Sequence, residues 1–327
     1  MKELIQNFSK QLTEALAIGE KALLHNSVSE IRNVLITGLG GSGIGGTIIA
    51  EVVSAQCMVS ITVNKDYFLP AFVNEHTLVI VSSYSGNTEE TTQAMEGAMQ
   101  RKAKIVCITS GGKVEATAKQ HGIDCIIIPG GNPPRACLGY SLTQLFYVLN
   151  FFKLINADFK TQLRSAIDLI VKEEAFIKAE AEQVAEFLNE KIPVIYAVDG
   201  FNGVATRFRQ QINENSKMLC WHHVVPEMNH NELVGWAGGW GDLAVVILRN
   251  KNDYSRSQTR IEISKEVFLK HTSHVREIWS RGNSKLEQSI FLIHLTDWAS
   301  FYLSEMNHVD VMEINVINHL KGELSKI

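Results

Sequence analysis

The chain has 327 residues, of which 45% are hydrophobic and 20% charged, and its formal net charge is −4. These values are typical of a globular protein and exclude a disordered, collagen-like or coiled-coil chain. At about 150 residues per domain, the length predicts two domains. The negative charge argues against a nucleic-acid partner, although a local pocket could still hold a small anion.

The cysteines and the N-terminal segment indicate the compartment. Five cysteines, an odd number with no CxxC pair, are expected to be reduced thiols: Cys57, Cys107, Cys125, Cys137 and Cys220. The N-terminus alternates charged and apolar residues at helical spacing and lacks the apolar core of a signal peptide. No window of about 18 apolar residues predicts a membrane span. We therefore expect a cytoplasmic protein without a membrane partner.

Strands and helices alternate along the first half of the chain, after an amphipathic helix in residues 1–25. The predicted strands are residues 34–37, 59–63, 77–81, 104–109 and 125–129. The predicted helices between them are residues 44–54, 88–100 and 114–121. Apolar strands separated by helices predict a parallel sheet that is covered on both faces.

The same alternation begins again in the second half, after a helical region at residues 141–190. The predicted strands are residues 194–198, 218–222, 243–248 and 275–279, and the predicted helices are residues 203–216, 256–270, 285–306 and 311–324. The sequence therefore predicts an α/β protein with two related, doubly wound, flavodoxin-like domains that long helices join. We place the domains at residues 1–155 and 156–327, and expect firm packing because no low-complexity linker separates them.

Six of the 23 glycines fall within residues 38–46, directly after the first predicted strand and at the start of a helix. Glycines let a ligand approach the backbone, and the N–H groups of a helix N-terminus attract anions. We therefore expect Gly41 and Ser42 to contact an anion. A dinucleotide fingerprint would need an acidic residue about 20 positions further on, where Asp66 comes late. No Gly-Lys-Ser/Thr follows, which excludes a Walker P-loop, and a tight turn without a ligand is the remaining alternative.

A second loop, residues 82–91, is rich in hydroxyl groups and also joins a strand to a helix. Ser83, Ser85 and Thr88 surround the predicted helix N-terminus, where backbone N–H groups point outward. Together with Ser42, they could hold a phosphate without a lysine. The alternative is helix N-capping by Thr88. Ligands of open parallel sheets bind beyond the carboxyl ends of the strands, and both loops are predicted to lie there.

The sequences of these two loops resemble those of a known family. The segments GLGGSGIGG, at residues 38–46, and SSYSGNTEET, at residues 82–91, resemble the sugar isomerase (SIS) domain, which binds phosphorylated sugars. With residues 134–136, 213–217 and 227–232, the chain is similar to the bifunctional phosphoglucose/phosphomannose isomerases over about residues 20–325. The resemblance implies two SIS-type domains, a hexose 6-phosphate substrate, isomerisation through a cis-enediol, no metal or other cofactor, and a homodimer.

The resemblance also implies roles for four ionisable residues. Glu214 would be the base that moves the proton, and Arg135 would stabilise the enediolate. His230 would assist ring opening from the partner subunit, and Lys321 would lie close to that chemistry. Three of these roles have a structural alternative. Glu214 could be a solvated glutamate and Arg135 an arginine of a surface loop. Lys321 could be a lysine that the helix C-terminus favours.

Three further alternatives concern the activity. A metal site built from His222, His223 and His230 is disfavoured, because adjacent residues of a strand point to opposite faces and the spacing fits no standard zinc pattern. A non-catalytic SIS regulator and an amino-sugar phosphate isomerase are the other two. Bifunctional members of the family often carry a threonine, linked to turnover of both C2 epimers, where Ile314 stands here. The expected turnover of glucose 6-phosphate does not depend on that residue.

Overall fold

The computed structural model describes residues 1–25, 30–238 and 242–326. The first sheet has five parallel strands in the order β2-β1-β3-β4-β5. They are β1 (Asn33–Thr37), β2 (Ser60–Asn64), β3 (Thr77–Ser83), β4 (Lys104–Thr109) and β5 (Asp124–Ile127). The predicted parallel sheet is confirmed, and the chain reverses its direction of winding between β1 and β3. This reversal is where ligands of open α/β sheets bind.

The helices of the first half cover both faces of this sheet. They are α1 (Lys2–Gln6), α2 (Phe8–Lys21), α3 (Gly40–Val52), α4 (Glu89–Gln100), α5 (Gly112–His121) and α6 (Leu138–Phe151). The prediction that α3 begins at residue 44 is wrong, because the glycines form its first turn. A Cβ on Gly41 would lie 2.9 Å from the Pro134 carbonyl oxygen, so tertiary packing requires glycine in a helix that intrinsic propensity disfavours.

The second sheet has four parallel strands in the order β7-β6-β8-β9. They are β6 (Ile192–Val198), β7 (Trp221–Val225), β8 (Leu243–Arg249) and β9 (Val275–Trp279). The strand predicted at residues 218–222 lies instead at residues 221–225. The register explains the shift, because Trp221 is the first residue of β7 to pair with β6, opposite Val194.

The helices of the second half are more numerous than predicted. They are α7 (Asp158–Lys172), α8 (Glu174–Leu188), α9 (Asn202–Ser216), α10 (Glu232–Gly235), α11 (Ser255–Phe268), α12 (Lys285–Met306) and α13 (Asn315–Leu324). Single 3-10 turns cover Pro134–Ala136, Glu227–His230 and Trp236–Gly238. The last helix begins at Asn315 rather than at the predicted residue 311. In the described part of the chain, no helix is long and apolar enough to cross a bilayer.

One core joins the two sheets through a shared helical layer. Alternate residues of β1 face opposite sides, with Val34 and Ile36 in this central core and Leu35 in a second core beneath α4 and α5. A third core lies between the second sheet and α11. The expected firm packing is confirmed, and the boundary at residue 155 stays a prediction because buried residues on both sides of it share the central core.

Candidate active site

The two predicted loops meet at the carboxyl edge of the first sheet. β1 and β3 are neighbours, so the loops that follow them lie side by side. A Cβ on Gly38 would lie 2.5 Å from the Ser82 carbonyl oxygen, and one on Gly43 would lie 2.2 Å from the Gly38 carbonyl oxygen. Only glycine permits these approaches. The expectation that both loops share one sheet edge is therefore confirmed.

Hydroxyl groups of both loops take part in hydrogen bonds within and between the loops. The Tyr84 backbone N–H donates to Ser42 Oγ at 3.0 Å, which joins the two loops directly. Ser83 Oγ donates to Thr88 Oγ1 at 3.3 Å, and the Asn87 N–H donates to Ser85 Oγ at 3.3 Å.

The structure does not support the N-capping role that was the alternative for Thr88. Thr88 occupies the N-cap position of α4, but within the described residues its side chain accepts no bond from the helix N–H groups. Those N–H groups therefore keep their capacity to bind an anion. The Thr88 hydroxyl instead lies beside that of Ser83 at the start of the helix.

Arg135 is a buried side chain held in a fixed position. It lies in the 3-10 turn between β5 and α6 and is only 4% exposed, so the surface-loop alternative is wrong. Its Nε donates to Asn215 Oδ1 at 2.8 Å, and its Nη2 donates to the Val311 carbonyl oxygen at 2.6 Å. Its Nη1 donates to Glu214 Oε1 at 2.9 Å. Two of the three contacts therefore orient the guanidinium, and the third places it against the predicted base.

Glu214 faces a cavity at the junction of the two halves. It lies near the end of α9 and its side chain is 30% exposed, so its carboxylate is accessible from the cavity. The cavity has a volume of about 270 Å³. Residues of both halves line it: Gly40, Gly41, Arg135, Arg207, Gln210, Gln211, Asn213, Glu214 and Ile317. The N-terminus of α3, Arg135 and Glu214 are thus brought together, as the predicted sites require.

A buried ionic network beneath this cavity was not predicted from the sequence. Arg207 donates to both carboxylate oxygens of Asp297, at 3.1 and 2.6 Å, and also donates to the Arg135 carbonyl oxygen at 3.0 Å. Gln211 Nε2 donates to Asp297 Oδ1 at 3.0 Å. The spacing of residues 207, 211 and 214 places three polar side chains on one face of α9, a signal that was available in the sequence. Asp297, on α12, had no such local signal.

His230 and Lys321 lie outside the residues that line the cavity. His230 ends the 3-10 turn after β7 and is exposed. Lys321 is exposed on α13, whose residues are all exposed, although Ile317 of the same helix lines the cavity. A single chain therefore assembles Arg135 and Glu214, while the roles of His230 and Lys321 stay predictions.

The histidines of β7 have other partners. His222 Nε2 lies 2.8 Å from Thr206 Oγ1, and burial lowers the pKa of His222 to about 4. His223 Nδ1 lies 2.9 Å from Glu232 Oε2. Across residues 1–25, 30–238 and 242–326, no three His, Cys, Asp or Glu side chains are grouped as metal ligands would be.

Comparisons with known proteins identify the class of this fold. Residues 28–130 match the SIS domain, and residues 177–324 match the bacterial phospho-glucose isomerase C-terminal SIS domain. The C-terminal domain of glucosamine-fructose-6-phosphate aminotransferase from Francisella tularensis superposes with a TM-score of 0.78 at 12% identity, over 95% of this chain and 97% of that one. Tagatose-6-phosphate ketose/aldose isomerase from Escherichia coli superposes with a TM-score of 0.70 at 16% identity, over 94% and 92%. The protein is a two-domain SIS protein.

Full-length relatives then define the family. A bifunctional phosphoglucose/phosphomannose isomerase from Caldicellulosiruptor bescii is 38% identical over 100% of this chain and 99% of its own. One from Aquifex aeolicus is 34% identical over 90% and 91%. A D-glucosamine-6-phosphate 4-epimerase from Sulfolobus acidocaldarius is 30% identical over 90% of each chain. The chain belongs to the bifunctional phosphoglucose/phosphomannose isomerase family, which confirms the resemblance found in its motifs.

Proposed function

We propose that this protein is an aldose–ketose isomerase that converts glucose 6-phosphate and mannose 6-phosphate to and from fructose 6-phosphate. The observation that carries the proposal is the 2.9 Å contact between Arg135 and Glu214 in a cavity bounded by the N-terminus of α3. It places a carboxylate and a fixed cation at one point, next to hydroxyl-rich loops suited to a phosphate. The names of the full-length relatives support the same substrates.

The phosphate group would bind where the two loops meet. Ser42, Ser83, Ser85 and Thr88 provide hydroxyl donors, and the N-terminus of α4 provides backbone N–H groups and a favourable dipole. Gly40 and Gly41 line the cavity at the N-terminus of α3, so the sugar would lie against this backbone. The phosphate is thus held without a lysine, in a protein of negative net charge.

The proton transfer follows from the placement of Glu214 and Arg135. Glu214 removes the C2 proton of the open-chain aldose, and the electron pair of the C–H bond forms the C1=C2 bond of a cis-enediolate. The C1 oxygen gains negative charge, which Arg135 stabilises. The proton of the C2 hydroxyl passes to the C1 oxygen, and Glu214 returns its proton to C1, giving the ketose. Glucose and mannose differ only at C2, so both aldoses give the same enediol.

An assay of the Glu214→Gln variant tests this role. Removal of a general base should lower kcat about 10²- to 10⁴-fold on both aldose phosphates, while KM changes little. Glu266→Gln, at an exposed position of α11, is the matched control and should keep wild-type rates. Fructose 6-phosphate formation, followed with a coupled dehydrogenase, gives both constants. Full kcat in Glu214→Gln would contradict the assignment.

We further propose that the active unit is a cytoplasmic homodimer in which His230 of the partner subunit completes each site and Lys321 lies near the ring-opening step. Two observations support a second copy of the chain as the partner that covers this face. His230 is exposed, and so are the apolar side chains Val316 (81%) and Leu320 (59%) on α13. All five cysteines lie in the described part of the chain and are free, which supports the cytoplasmic location.

Subunit mixing tests the shared site. Glu214→Gln and His230→Ala homodimers should each be nearly inactive. A heterodimer of the two would contain one intact site, so unfolding and refolding an equal mixture should restore about a quarter of wild-type activity. Absence of recovery, with dimers present by light scattering, would place both residues of a site in one chain.

Amino-sugar phosphates are the second candidate substrates, because one full-length relative is named as an epimerase of glucosamine 6-phosphate. The same preparation should be incubated with glucosamine 6-phosphate, and its products separated by chromatography. Turnover faster than that of glucose 6-phosphate would favour the second candidate.

A further inference from the structure

The second sheet repeats the geometry that creates the first site. Its strand order β7-β6-β8-β9 matches the first four positions of the first sheet, so β6 and β8 correspond to β1 and β3. The loops after β6 and β8 therefore also meet at a point where the direction of winding reverses. Lys285 begins the long helix α12, which follows β9.

A cavity of about 450 Å³ lies at this point. This volume falls within the range of small-molecule sites. Its polar lining includes Asp199, Asn252, Asp253, Ser257, Lys285 and Gln288. An adjoining cavity of about 810 Å³ shares Asn252 and Gln288 with it, so the two form one cleft along the carboxyl edge of the second sheet.

Lys285 is held in the cleft by contacts that use only part of its hydrogen-bonding capacity. Its Nζ donates to the Glu51 carbonyl oxygen at 2.9 Å and lies 5.6 Å from the centre of the Phe201 ring. A Cβ on Gly200 would lie only 2.6 Å from this Nζ, so the loop after β6 is shaped to admit the lysine. An ammonium group carries three N–H donors, and these contacts leave capacity for a ligand.

The charges of this cleft differ from those expected of a phosphate site. The carboxylates of Glu51, Asp199 and Asp253 all act on Lys285, whose pKa is lowered by burial. Glu51 is partly protonated at neutral pH, because burial raises its pKa to about 7. The two carboxylates that line the cleft, Asp199 and Asp253, still outnumber the single ammonium group and repel a phosphate dianion. Carboxylate and amide oxygens together with N–H donors instead suit hydroxyl groups, which both donate and accept. The rings of Phe201 and the 70% exposed Tyr254 add apolar faces.

We propose that this cleft of the second half binds an uncharged polyhydroxy ligand of monosaccharide size, such as an unphosphorylated hexose. The ligand hydroxyls would accept from Lys285 and donate to Asp199, with the ring against Tyr254. This site is separate from the cavity of Arg135 and Glu214, and the proposal does not depend on the isomerase activity.

Saturation-transfer NMR and calorimetric titration with glucose and mannose test the proposal on the full chain. Binding should persist in saturating glucose 6-phosphate, because the phosphate ester occupies the other site. It should weaken about ten-fold or more in Asp199→Ala and Lys285→Met, and stay unchanged in Ser85→Ala. Thermal unfolding establishes that each variant is folded. If Lys285→Met does not fold, the hexose affinity of Asp199→Ala alone tests whether the cleft is the binding site.

Three outcomes would overturn the proposal. The first is that neither hexose binds the wild-type protein. The second is that glucose 6-phosphate displaces the hexose, which would assign binding to the first site. The third is that folded Asp199→Ala keeps full affinity.

Discussion

The pair of Arg207 and Asp297 offers a sharp test of the network beneath the site. Both side chains are buried, at 2% and 6% exposure, and Asp297 accepts three hydrogen bonds at 3.1, 2.6 and 3.0 Å. Asp297→Ala would leave the guanidinium of Arg207 in the core without its counter-charge. Removing one partner of a buried ion pair costs about 3–5 kcal/mol, and the tight geometry places this pair at the upper end.

The matched variant removes both charges. Arg207→Met with Asp297→Leu replaces the pair by apolar side chains of similar volume, a change that is often neutral or stabilising. The double variant should therefore be more stable than Asp297→Ala alone. Its kcat should still fall, because it lacks the bond from Arg207 to the Arg135 carbonyl oxygen at 3.0 Å. Urea unfolding followed by circular dichroism, with the coupled isomerase assay, measures both effects.

Three results would refute this reasoning. A loss below about 1 kcal/mol in Asp297→Ala would mean that water or another group compensates the Arg207 charge. A double variant less stable than the single one would mean that the pair stabilises the fold beyond its desolvation cost. Wild-type kcat in a folded double variant would show that Arg207 does not position Arg135.

Three further changes test other parts of the structure. Gly43→Ala should abolish phosphate binding and lower stability by several kcal/mol, because its Cβ would lie 2.2 Å from the Gly38 carbonyl oxygen. Calorimetric titration with inorganic phosphate measures the binding, and urea unfolding measures the stability. Burial raises the pKa of Glu51 from 4.5 to about 7, so wild-type stability should fall by up to about 3 kcal/mol as the pH rises from 4.5 to 8. Glu51→Gln should lack this decline because an amide does not titrate, and it keeps an acceptor for the Gly203 N–H. A parallel slope in both proteins would contradict the assignment. Activity should be unchanged by a chelator, and a loss that added metal reverses would contradict a metal-free mechanism.

Much of the fold was predictable from local patterns. Apolar strands such as Lys104–Thr109 and Val275–Trp279 have the predicted bounds, because they combine apolar runs with clear flanking breaks. The glycine-rich start of α3 and the position of β7 were not predictable. In both cases distant contacts outweigh local propensity: the Pro134 backbone packs against Gly41, and β6 pairs with Trp221.

The two related α/β halves, the two loops at one sheet edge and the family were all predictable from the order of the residues. Those features depend on residues that are close in the chain, where periodicity and turn chemistry act directly. The burial of Arg135 against Glu214, 79 positions away, became visible only in the folded chain. The same is true of the bond between Arg207 and Asp297, 90 positions apart. Such pairings arise because the packing of α9 and α12 in the shared core buries charges that must then find partners.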